Sequence, residues 1–206
     1  MKKVLILTSI FILAISGQLS AQSDTLAFKK TIYSFMPQYL INRGIRIDIE
    51  KQISGKHFIQ ICPQFYLSEK DNDESFVYDE NSYNSLIGGG VNVYHKIFAH
   101  SNFTKNGLYF SYGVSYNYFE IEYFDEYLGS TINANATIQK MGFDITLGYQ
   151  FMIKQIISID IFTGAGTRYS IMETNSDNKD KFNATYFGYN YTGNLLLLGA
   201  RIGVIL

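Results

Sequence analysis

The sequence predicts an all-β fold, an eight-stranded antiparallel up-and-down transmembrane β-barrel with a filled polar lumen, and three observations predict it. From Gly44 onward apolar and polar residues alternate with period two, the signature of strands with one apolar face. The connections between the strands are alternately short and long. The polar face carries Gly, Ser, Asn, Gln and Thr with sparse charges, where a soluble lipocalin-like barrel would turn Lys and Glu to water.

Composition narrows the alternatives. Of 206 residues 47% are apolar, 17% charged and 16% aromatic, with no Trp. No apolar run reaches the roughly 18 residues of a helical span, and so many aromatic residues exclude a disordered chain. A formal charge of −1 offers nucleic acid no basic field. Cys62 stands alone, which excludes an intrachain disulfide and a cysteine zinc cluster.

Met1-Lys2-Lys3 followed by the apolar stretch from Val4 to Ile15 reads as a secretory signal peptide over 1–21, cleaved after Ala21. A short segment, 22–26, precedes a barrel over 27–206. Phe28 to Gln38 is the first strand, assigned because a closed barrel of this type needs an even number. A tight turn at Asn42-Arg43-Gly44 follows. The next strands are 45–50, with Ile45, Ile47 and Ile49 on one face, then 57–67, 85–97, 107–118, 140–151 and 157–169. The last places Leu196, Leu198, Ala200, Ile202, Val204 and Leu206 on one face. Short turns fall at 52–56, 98–106 and 152–155, and long polar loops at 68–84, 119–137 and 171–194, all on the side opposite the termini. Outer-membrane barrels have this layout. Phe65, Tyr116, Tyr118 and Tyr169 suggest one aromatic girdle, and Phe110, Tyr149 and Phe151 another. Pro63 predicts a bulge in its strand, and Gly88-Gly89-Gly90 a bulge or a point of close packing.

The run from Met36 to Lys51 resembles the opening of a family of small, uncharacterised outer-membrane barrels of Gram-negative bacteria. That family shows Asn-Pro, an apolar strand, a Gly/Asn turn and a strand ending Tyr-Glu-Lys. Pro37, Ile45, Glu50 and Lys51 match, while Met36 stands for the Asn and Ile49 for the Tyr. The resemblance implies the barrel architecture and localisation in the outer membrane, and it implies no activity.

The polar face holds four cations, Arg46, Lys96, Arg168 and Arg201, against four anions, Asp48, Glu50, Asp144 and Asp160. Buried charges must be paired, so the balance predicts a salt-bridged, plugged lumen. His57 and His95 are candidate metal ligands: pairing Leu67 with Ser85 sets the two imidazoles directly opposite, with His100 in the adjoining turn. The bland reading places both in the headgroup belt, and no cofactor is expected. All three histidines fall on the turn side, away from an external rim where a lipid-modifying enzyme would need its base; the protein is expected not to be an enzyme.

The external loops carry Asp71, Asp73 and Glu74 among other acids, and Tyr186, Phe187 and Tyr189 among small polar residues. These are candidate contacts for a surface ligand or partner; the bland readings are a solvated acidic surface that keeps the loops open and, for the rings, an upper girdle and loop packing. The functional expectation is a monomeric structural or adhesion-like surface protein in contact with outer-membrane lipids, without an open pore. A lipid-modifying enzyme and a soluble ligand-binding barrel stand as alternatives.

Overall fold

The computed structural model describes residues 31–69, 83–99, 107–127, 130–154, 156–176, 180–183, 186 and 188–206, with the backbone alone at 126, 127 and 130–132. The expected signal peptide lies outside the described residues. Eight strands run in chain order: β1 (Thr31–Phe35), β2 (Gly44–Ser54), β3 (His57–Glu69), β4 (Ser85–Phe98), β5 (Gly107–Tyr127), β6 (Ser130–Ile153), β7 (Ile157–Thr174) and β8 (Gly193–Ile205). Each pairs antiparallel with its sequence neighbour, and β1 closes on β8 through Ile32↔Ile205 to Phe35↔Ile202.

The first strand is shorter than expected. It ends at Phe35, and Pro37–Asn42 forms a 3-10 helix instead of continuing into the turn. Proline cannot donate to a ladder, but its fixed φ suits the first position of a helix. Arg43, left-handed at φ 53°, ends that helix and starts β2. Pro63 produces no shift, because the β2–β3 register is the same on both sides of it and the irregularity lies between Gln52 and Ser54. Nor do Gly88 to Gly90 shift the β3–β4 or β4–β5 ladders. They are close-packing positions, where a side chain on Gly88 would run into the Phe119 ring.

One expected loop is largely strand, and another is shorter than expected. β5 continues to Tyr127 and β6 begins at Ser130, so 119–137 is a tall hairpin and not an open loop. β7 likewise runs to Thr174 and β8 starts at Gly193.

Along β5 the side chains keep alternating in and out, but chemistry changes sides. From Leu108 to Tyr118 the outward residues are Leu108, Phe110, Tyr112, Val114, Tyr116 and Tyr118, and the buried inward ones include Ser111, Ser115 and Asn117. Above that height Phe119, Ile121 and Tyr123 are buried inside while Glu120 and Glu122 face out. β6 changes at the same rung: Met141, Phe143, Ile145 and Leu147 are outward below it, and Ala134, Ala136 and Ile138 are inward above it. The barrel therefore has two storeys. The lower one is apolar outside and, around a buried cluster of Met36, Phe58, Phe98, Tyr109 and Phe162, mainly polar inside, and the upper one is built like a soluble barrel around an apolar core completed by Tyr66, Leu86 and Phe182. Leu108 to Tyr118 covers about 34 Å along a strand, or roughly 26 Å of height at a tilt of about 40°, close to the ~25 Å apolar band of outer-membrane barrels.

Candidate functional site

An ionic chain runs through the lower lumen among the rings of Phe58, Phe98, Tyr109 and Phe162. Arg46 Nε lies 2.6 Å from Asp48 Oδ1, and Asp48 Oδ2 lies 2.7 Å from Arg201 Nε. Arg201 Nη1 reaches Asp160 Oδ2 at 2.8 Å, and Asp160 Oδ2 in turn lies 2.9 Å from Lys96 Nζ, which also pairs with Glu50 at 2.8 Å. Arg168 and Asp144 form a separate pair at 2.5 Å. The eight charges come from inward positions on five strands, β2, β4, β6, β7 and β8, which the ladder registers bring together. Neutral donors complete the shell. Gln60 Nε2 donates to Asp48, Tyr94 Oη to Asp144 and Tyr109 Oη to Asp160, at 2.8, 2.7 and 2.6 Å. Lys96 is wholly buried, 0% exposed, and tolerable there only because two carboxylates and the Gln150 amide oxygen surround it. Cys62 sits in the same interior as a buried free thiol.

Above this chain the lumen opens into a cavity of about 700 Å³. Its walls include Arg46, Asn117, Lys140, Asp144 and Arg168 on one side and Leu195 to Leu198 on the other. Lys140 was not singled out from the sequence, although it shares the inward parity of Gly142 and Asp144. Its Nζ donates to the Gly188 carbonyl at 2.7 Å, and among the described residues no carboxylate pairs with it. Ser115↔Gly142↔Arg168 forms one rung beside it. Gly142 leaves the space there, since Ser115 Oγ and Arg168 Nη1 each lie 2.6 Å from where its Cβ would be. Ser115 Oγ is buried with no hydrogen-bond partner among the described residues.

The cavity reaches the outside through the wall. β1 covers β8 only from Ile202 to the Leu206 end. One step higher the Gln38 side-chain amide takes the place of a strand: in the orientation that satisfies both groups its nitrogen lies 3.0 Å from the Ala200 carbonyl oxygen and its oxygen 2.6 Å from the Ala200 nitrogen. Beyond that, Leu196 and Leu198 have no described strand on this edge. Leu206 and Ala200 point their backbone groups to the β1 side, and by the alternation of a strand Leu198 and Leu196 do the same. Their side chains are 79% and 90% exposed on the apolar belt. The result is a lateral gap between the 3-10 helix and β8, with leucines on both faces of its lip.

The mouth is capped. Tyr189 drops between Tyr66, Tyr83 and Phe119, at ring distances of 6.4, 6.0 and 5.1 Å, and its hydroxyl donates to the Asn42 carbonyl. Burial and the neighbouring Tyr83 hold its phenol above the usual tyrosine range. Of the two readings of Tyr189, a partner contact and loop packing, its ring takes the packing position and closes the apolar upper core. Phe182 is buried against Tyr123 at 5.2 Å. Tyr186 is exposed and meets Tyr191 edge-on. Asp71, Asp73, Glu74 and Phe187 lie outside the described residues.

His57 and His95 meet, but not in the expected register. β3 pairs with β4 two residues further along, His57↔Ile97 and Ile59↔His95, because the ladder begins at Glu69↔Ser85 and not at Leu67. The imidazoles are diagonal neighbours on the outer face, stacked at 5.2 Å with Nδ1 of His57 3.1 Å from Nε2 of His95. Nδ1 of His95 is bonded to Tyr112 Oη at 2.8 Å. The facing nitrogens bond to each other instead of converging on a shared point, and among the described residues no group of three or more His, Cys, Asp or Glu could hold a metal. His100 lies outside the described residues.

These features define a closed eight-stranded up-and-down barrel with an apolar belt outside and paired charges within. Among solved structures it is similar to a major outer membrane protein from Thermus thermophilus, at 11% identity and a TM-score of 0.42 over 88% of this chain and 100% of that one. It is also similar to CarO of Acinetobacter baumannii, at 11% identity and a TM-score of 0.40 over 89% of this chain and 99% of that one. No protein-family model and no curated protein sequence matches the chain.

Proposed function

We propose that the chain is a monomeric barrel of the bacterial outer membrane, without an open pore, that presents the storey above its apolar belt as an adhesion-like interaction surface. The change of polarity along β5 and β6 carries this reading. A soluble barrel would have no reason to expose Phe, Leu and Ile around its lower half and pair eight charges inside it; lipid reverses both preferences. Water above the belt restores the usual order, so the β5–β6 hairpin stands roughly 25 Å proud of the lipid at about 3.3 Å per residue. Its outward residues there, Glu120, Glu122, Asn133 and Asn135 among them, form a polar wall suited to a surface partner. The ionic chain across the lower lumen supports the absence of a continuous pore.

Shortening the hairpin tests the interaction role. A variant in which residues 121–136 are replaced by a two-residue turn is expected to keep the mobility shift between unboiled and boiled samples that marks a folded membrane barrel. Cells displaying it are expected to lose adherence or cell-to-cell aggregation relative to cells displaying the full chain. Undiminished adherence with an intact mobility shift contradicts the surface role.

A further inference from the structure

The lateral gap lies within the apolar belt, where lipid cannot satisfy backbone groups. Unpaired backbone at that depth is tolerated where it lines a polar cavity, and the cavity behind Leu196 and Leu198 is of that kind. Its volume of about 700 Å³ falls within the roughly 300–1,000 Å³ of small-molecule sites. Its two ends differ in chemistry. At the outer lip Leu195 and Leu197 face in while Leu196 and Leu198 face out, with Ile41 of the 3-10 helix opposite. At the inner end stand Lys140, Arg168 and Ser115 around the space that Gly142 leaves. The eight paired lumen charges balance one another, so Lys140 adds one cation with no described anion, and Ser115 adds one hydroxyl with no acceptor. One anionic group would supply both.

We propose that this cavity is a binding site for a single-chain anionic amphiphile that enters sideways from the membrane. Its carboxylate or phosphate head accepts from Lys140 Nζ, the Arg168 guanidinium and Ser115 Oγ. Its acyl chain leaves over the leucines between the 3-10 helix and β8. The proposal rests on the membrane-barrel reading, and its test separates the two.

The protein is refolded in detergent micelles, checked by its mobility shift on boiling, and titrated with the fluorescent fatty acid cis-parinaric acid and, in parallel, with its methyl ester. Expected is saturable binding of one acid per barrel, displaced by palmitate, with the ester at least about tenfold weaker and Lys140→Gln weakening the acid about tenfold while leaving the ester unchanged. In wild-type protein the acid-to-ester comparison stands whether or not the variant folds. Equal affinity for acid and ester, a folded Lys140→Gln variant that binds the acid as wild type does, or displacement by inorganic phosphate as readily as by palmitate overturns the proposal. A shifting, folded barrel with no saturable binding overturns it too and leaves the membrane reading standing. A protein that stays soluble without detergent and shows no shift overturns both.

Discussion

Phe119 and Ile138 are opposite partners on β5 and β6, both buried inside the barrel, and two residues lower on the same ladder Asn117 and Lys140 point into the same interior. An apolar pair thus sits directly above a polar one on a single unbroken wall. That step locates the upper boundary of the belt more sharply than the girdle residues do. It also makes Phe119, 3% exposed, the floor of the upper core, in contact with Tyr66 and Tyr189. Phe119→Ala is expected to lower stability by about 3–5 kcal/mol, the usual cost of emptying a buried aromatic site, as read from urea unfolding of the refolded barrel in lipid vesicles.

The outer face gives a contrast between storeys. Ile145→Arg places a cation in mid-belt and is expected to cost about 2–4 kcal/mol. Glu122→Arg, on the water-facing upper wall, is expected to stay within about 0.5 kcal/mol of wild type. Unfolding midpoints in vesicles check both, and equal costs at the two sites would count against a belt that ends below Phe119.

In the lumen, removing one partner of a buried pair costs more than removing an unpaired cation. Asp160→Ala leaves Lys96 and Arg201 each without one carboxylate and is expected to cost about 3–5 kcal/mol. Lys140→Gln strips no carboxylate of its partner and is expected to change stability by less than about 1 kcal/mol. The temperature at which the mobility shift appears orders the two variants against wild type.

Gly164 faces inward on β7 beside Thr146. A side chain there would run into the Ile145 carbonyl and the Thr146 backbone, atoms fixed by the ladder. Gly164→Val is expected to destabilise by at least about 1–3 kcal/mol through overpacking, measured by the same unfolding assay, or to leave the protein unassembled.

The belt was legible because period two with one apolar face is local information, and so were the eight lumen charges, which share the parity of that polar face. The upper storey was not read as strand because after Tyr118 the apolar residues move from even to odd positions. Parity continues there, but a reading that follows apolar residues sees the pattern break. Lys140 carried the same parity signal as Asp144 and was missed because it stood at an assumed strand end. The His57–His95 register failed by two residues because β3 runs on to Glu69, a long-range pairing that no local pattern fixes. The gap beside β8 depends on where β1 stops, and Pro37 marks that stop only once the 3-10 helix after it is known.

The central claim is that the lower storey is in lipid and the upper one in water, and the absence of tryptophan from the chain lets one measurement test it. Val114→Trp, at an outward belt position 58% exposed in the isolated barrel, and Glu122→Trp are each reconstituted in vesicles whose lipids are brominated at mid-chain. Strong quenching of the tryptophan at 114 and almost none at 122 is the predicted result. Equal quenching at both sites, or none at either in a folded protein, would contradict it.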